Sequence, residues 1–131
     1  MIHGWRRVFA LRSRLVDFEE RGFRCTPEAT RRWLEGAAGA FLHGFNTELA
    51  TPPGVAPGFD EVSADRRGLA AEGAAMAAVL LDRLNPAGGR RFAALYARHQ
   101  AQYVYLLYVG AGWAMATLRI ATQRHSDSRP W

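Results

Sequence analysis

The stretch SADRRGLAAEGAAMAAVLLDRLNPAGG, residues 63–89, decides the fold class. Ser63 stands where a helix cap belongs, Asp65 falls in the first turn, and Asn85-Pro86-Ala87-Gly88-Gly89 stops the run. Between them Leu69, Gly73, Met76, Leu80 and Leu84 recur at spacings of three and four, the period of one helix face. Ala70, Ala71, Ala74, Ala75 and Ala78 make a second face of small side chains, and such a face lets another backbone come close. The pattern predicts a helix packed tightly between neighbours.

Upstream, Thr26-Pro27-Glu28 is a helix start with a mechanism. Threonine caps free amides, proline suits the first turn, and a carboxylate favours the positive end of the dipole. Leu34, Ala37, Ala38, Phe41, Phe45 and Leu49 then predict a helix over 27–49, closed by the proline- and glycine-rich loop 51–59. Before it, Trp5, Val8, Phe9, Arg12 and Val16 suggest a short basic amphipathic helix, joined to the core by a connector ending at residue 25. Downstream, residues 90–118 read as helix, with a break expected near His99–Gln102, where the polar run RHQAQ interrupts the apolar pattern. After Leu118 periodicity fades, and 119–131 reads as a frayed tail. No segment alternates as a strand does, so the class is all-α: four to five helices in a bundle or irregular array, with 26–118 as the core.

All 17 basic residues are arginine, as in a GC-rich coding sequence, and the net charge is +5 over 131 residues. Residues 86–131 carry six arginines against one aspartate, whereas 25–85 carry more acids than bases. The aromatic–basic alternation of nucleic-acid readers is missing, so no nucleic-acid partner is expected. The lone Cys25 excludes an intrachain disulfide and suits a cytoplasmic protein. His3, His43, His99 and His125 lack ligand spacing, so neither a metal nor a cofactor is expected. Residues 103–118 contain no charge, but sixteen residues fall short of the roughly 20 that cross a bilayer. That weighs toward a buried core helix instead of a membrane span.

Glu72 stands out, because its helical neighbours Gly68, Leu69, Ala75, Met76 and Val79 are all small or apolar. A carboxylate there takes a partner from another helix or works as a general acid or base, and the structural pairing is the favoured reading. Arg67 and His43 are its candidate catalytic companions. His43, Asn46 and Thr47 share a polar strip that lines a pocket or faces solvent, the latter favoured; Glu48 is read as pointing elsewhere. Gly110-Ala111-Gly112 follows no strand, so it is no dinucleotide fingerprint. Gly110 and Ala114 suit close helix contact, with Trp113 filling the adjacent space.

Three stretches, RGLAAEGAAMAAVLLDRL (67–84), FLHGFNTEL (41–49) and YLLYVGAGWAMATL (105–118), together with WRRVFALRSRLVDFEERGF (5–23), resemble the DUF1702 proteins of enediyne biosynthetic gene clusters. Arg67, Gly68, Glu72, Gly73, Ala74, Ala75 and Met76 fall on one motif of that resemblance, and Gly110, Gly112 and Trp113 on another. The resemblance implies an accessory role in polyketide-type natural-product assembly and supplies no catalytic residue. It also implies longer relatives, of which this chain is similar to the N-terminal part up to Leu118. A homo-oligomer or a missing C-terminal half is then expected. The leading expectation is a binder of a hydrophobic polyene intermediate, free or carried on a protein, with Asn46, Thr47, Gly73, Met76, Gly110, Gly112 and Trp113 as candidate ligand contacts. Behind it stand an enzyme using Glu72, an interaction module docking an acidic carrier protein, and, last, a membrane-associated protein.

Overall fold

The computed structural model describes residues 26–127. The expected N-terminal helix, the connector and Cys25 lie outside these residues. Within them there are three α-helices and no strand: α1 (Pro27–Ala50), α2 (Arg67–Leu84) and α3 (Arg91–Asp127), with a 3-10 turn at Ala64–Arg66 before α2. The all-α class holds, with fewer helices than the four or five expected. The chain divides into two compact units, residues 1–39 and 40–131.

In the first unit, α1 begins as its sequence requires. The Ala29 amide donates to Thr26 Oγ1 at 3.2 Å, which occupies one of the free amides of the first turn. One turn on, Arg31 and Glu35 make an exposed ion pair of 3.1 Å, the surface kind that adds little stability.

The second unit is organised around α2. Every residue from Ala70 to Ala78 is buried, so this segment is enclosed on all sides. The most deeply buried face is the alanine face, whereas Leu69 and Leu80 are half-buried and Leu84 is exposed. The leucine stripe that periodicity singled out is therefore the less buried one. Close backbone approach explains the inversion. A Cβ built on Gly73 would strike the Phe41 carbonyl of α1, and one on Gly44 the Ala70 carbonyl of α2, so two glycines lock an antiparallel crossing. On the other side Gly110 of α3 sits against the Glu72 carbonyl and the Ala75 side chain. Small residues gain stability here through dispersion contact between backbones instead of through large buried side chains.

Ser63 precedes the 3-10 turn, but its side chain makes no capping bond; its carbonyl accepts the Arg66 amide at 2.9 Å. The expected cap at Ser63 is thus replaced by a tighter turn, and α2 starts at Arg67. The stop at the other end works through Asn85. Its side-chain oxygen accepts the Ala87 amide, its carbonyl accepts the Gly88 amide, and Gly88 takes φ +73°, open to glycine without steric cost. Asp82 then reaches forward: its two carboxylate oxygens accept the amides of Arg91 and Phe92 at 3.0 and 3.1 Å. A residue near the end of α2 thereby satisfies the free amides that open α3.

The long helix α3 is bent, with non-helical geometry at Tyr103 (φ −130°, ψ 24°). Phe92 and Tyr108 are sixteen residues apart, about 24 Å along a straight helix. Their ring centroids lie only 6.3 Å apart, and those of Tyr96 and Tyr108 5.7 Å apart. The bend is therefore a reversal, and α3 folds into two arms, 91–102 and 104–127. The polar run His99–Gln102 ends the first arm, one residue from the expected break. The second arm runs past Leu118 to Asp127, where periodicity suggested a frayed tail. Leu95 of the first arm and Leu107 of the second are fully buried and join Phe59 and the alanines of α2 in one core cluster.

Candidate functional site

Glu72 is fully buried in the middle of α2, and the Trp113 indole nitrogen of the second arm donates to its Oε1 at 3.2 Å. Gly110, one turn before Trp113, brings the two helices close enough for that bond. Glu72 thus has a partner on another helix, the Trp113 indole.

Its two proposed companions are engaged elsewhere. Arg67 donates from Nε to the Val62 carbonyl at 2.9 Å and from Nη2 to the Asp60 carbonyl at 3.4 Å, which ties the loop before α2 to the helix start. His43 stands half-exposed on α1, its Nε2 4.0 Å from the exposed Glu61 carboxylate. On the same strip Asn46 is exposed, and the Thr47 hydroxyl donates back to the His43 carbonyl at 2.6 Å. Glu72, His43 and Arg67 are held in three different settings.

Of the other candidates, Gly73 and Gly110 are closed against backbone, and Met76 is buried. Gly112 lies on the exposed side of the second arm, where a Cβ would meet nothing within 4 Å. Trp113, half-buried, faces Glu72. The small residues on α2 therefore serve helix contact.

Two clusters emerge that the sequence reading did not assemble. The first joins the ends of all three helices. Glu48 is fully buried, and Arg91 Nη1 donates to its Oε1 at 3.4 Å, to its carbonyl at 3.2 Å and to the Thr51 carbonyl at 2.7 Å. One guanidinium thus closes the last turn of α1 from the start of α3. Glu48 Oε2 has no hydrogen-bond partner. Burial pushes the Glu48 carboxyl up to about 7, against the lowering influence of Arg91 and with a further upward push from Asp82. The signal was present in the sequence. Phe41, Gly44, Phe45 and Glu48 share the buried stripe of α1, while Leu49, read as part of it, is exposed.

A pH test follows from Glu48. A carboxyl that ionises more readily in the unfolded chain withdraws stability as pH rises from about 4.5 to about 7. The wild-type chain is expected to lose up to about 3 kcal/mol relative to Glu48→Gln between pH 5 and pH 8. Urea unfolding of both proteins across that range measures it, and a constant difference between them would refute the raised ionisation.

The second cluster is aromatic. Phe92 and Tyr96 of the first arm, 6.1 Å apart, meet Tyr108 of the second at centroid distances of 6.3 and 5.7 Å and tilts of 52° and 59°. Tyr108 lies beside the Tyr96 hydroxyl and pushes that phenol above its ordinary range. Phe92 and Tyr96 are half-buried and Tyr108 is 59% exposed, so the cluster offers ring surface to solvent. Nearby His99 sits on the Phe59 ring at 4.9 Å, with Nε2 2.7 Å from the Pro57 carbonyl. Its burial favours the neutral ring. Among the described residues no group of three or more His, Cys, Asp or Glu side chains is placed to hold a metal ion.

Residues 3–130 match the profile of a family described as Protein of unknown function (DUF1702). The match extends past Leu118, where the likeness had been expected to stop. No curated protein and no solved structure matches the chain.

Proposed function

The chain belongs to the DUF1702 family, and from that premise we propose an accessory, ligand-binding role in enediyne-type polyketide biosynthesis. The ligand class is a hydrophobic conjugated polyene, and the aromatic cluster Phe92–Tyr96–Tyr108 is its contact surface. The exposed ring surface of that cluster carries the reading, since flat conjugated chains gain both apolar burial and π contact against tilted rings. Binding is favoured over catalysis because Glu72, His43 and Arg67 are held in separate settings, without the shared geometry that proton transfer to one substrate requires.

Parinaric acid, a fluorescent conjugated tetraene, tests the binding. Saturable fluorescence enhancement is expected with the wild-type chain, weakened about tenfold by Tyr96→Ser or Phe92→Ser. Enhancement that survives both substitutions would move the site elsewhere, and none at all would end the binding reading. The pathway assignment is tested separately: a chromosomal neighbourhood without a polyketide synthase would remove it.

A further inference from the structure

We propose that the outer face of the second arm of α3 docks on an anionic phospholipid surface, lying in its plane. At 100° per residue Val104, Tyr108, Met115 and Arg119 fall within about 60° of one another, flanked by Tyr105, Gly112 and Ala116. All seven are exposed, Tyr105 by 75%. The opposite face carries Leu107, Gly110 and Ala114, buried against the core. The second arm belongs to Arg91–Ser126, the one helix among the described residues with the length and composition to cross a membrane; that helix reverses at Tyr103, and only 17% of its most apolar window is buried. Residues 103–118, expected as a buried core helix, thus turn a large apolar surface to solvent.

Charge selects the occupant. From Val104 to Ser126 the second arm has no acidic residue, while Arg119 and Arg124 are present. Arg119 continues the apolar ridge on the same face. A second copy of this face would bury that guanidinium without a carboxylate opposite it, which is costly. Phosphate headgroups supply the counter-charge, and the tyrosines at the other end suit the boundary between headgroup and acyl chain. The ridge from Val104 to Arg119 is about 22 Å long, and its reverse side holds the Glu72–Trp113 pair, so the geometry is that of a helix lying on the surface. The ridge shares Tyr108 with the polyene surface, but Tyr105, Met115 and Arg119 lie outside the aromatic cluster, so variants at these three positions test membrane docking separately from polyene binding.

Co-sedimentation with vesicles, in the absence of any polyene, tests it. The wild-type chain is expected to partition to phosphatidylcholine–phosphatidylglycerol vesicles and to be released as salt is raised. Met115→Glu or Tyr105→Glu should lower partitioning about tenfold or more, and Arg119→Gln about fivefold on anionic vesicles alone. All three side chains are exposed, and unchanged circular dichroism confirms that the fold is kept. The proposal is overturned if the wild type stays in the supernatant, or if the ridge variants partition as it does. It is also overturned if, without vesicles, the chain forms a dimer that Met115→Glu dissociates. Parinaric acid titration in vesicle-free buffer reports on the other reading alone.

Discussion

Gly73→Ala is expected to destabilise the helical core by at least about 3 kcal/mol, seen as a large fall in the urea midpoint with far-UV dichroism as the probe. The added methyl meets the Phe41 carbonyl of α1, and backbone in a helix cannot step aside as a flexible side chain can. Gly44→Ala should behave alike, because its methyl meets the Ala70 carbonyl of α2 in the same crossing. The control is Gly112→Ala. It adds the same methyl to a helix at an exposed position with nothing within 4 Å, so helix propensity alone should stabilise the chain by up to about 1 kcal/mol. Opposite signs for one chemical change on two helices of one protein would establish that the crossing, and not glycine content, sets stability. Equal effects at Gly73 and Gly112 would refute it.

Arg91→Ala carries the second large effect, an expected loss of about 3–5 kcal/mol above pH 7. The substitution strips Glu48 Oε1 and the carbonyls of Glu48 and Thr51 of a shared donor, in a place where Glu48 is fully buried. The loss should shrink toward pH 5, because the Glu48 carboxyl, already pushed up to about 7, is then neutral and needs no counter-ion. Combining Arg91→Ala with Glu48→Gln should therefore cost less at pH 8 than Arg91→Ala alone. Urea unfolding of the four proteins of this double-mutant cycle, at both pH values, yields the coupling. A loss that is independent of pH would show that the guanidinium serves the two carbonyls alone.

The two junctions differ in how far the sequence announced them. The alanine face of α2 was legible, because five alanines at helical spacing admit a neighbour closely whichever helix supplies it. Which helices close on it was legible only in part: Gly110, four residues before Ala114, stood out as a close-contact position, whereas Gly44 carries no such mark. Glu48 sits in register with Phe41, Gly44 and Phe45, but a carboxylate is read by default as solvated, and its burial depends on Arg91, 43 residues away. Glu72 was legible as a buried carboxylate from its apolar neighbours, whereas the identity of its indole partner was not. His43, Asn46 and Thr47 do share one strip, but that strip faces partly outward, where side chains meet water or their own helix.

The reversal at Tyr103 decides the rest. Sequence pattern alone placed the interruption within a residue or so, because His99–Gln102 are polar where the apolar period should continue. It carried no information on the angle, and the angle determines that Phe92, Tyr96 and Tyr108 form one cluster and that the second arm turns Val104, Tyr105 and Met115 outward. The helical class, the start at Thr26, the proline loop after α1 and the small-residue face of α2 are local properties, written in spacing, capping chemistry and proline sterics. The glycine crossings, the Glu48–Arg91 junction and the exposed ridge arise only when distant segments meet. Their energies depend on backbone separations and desolvation that no single segment possesses by itself.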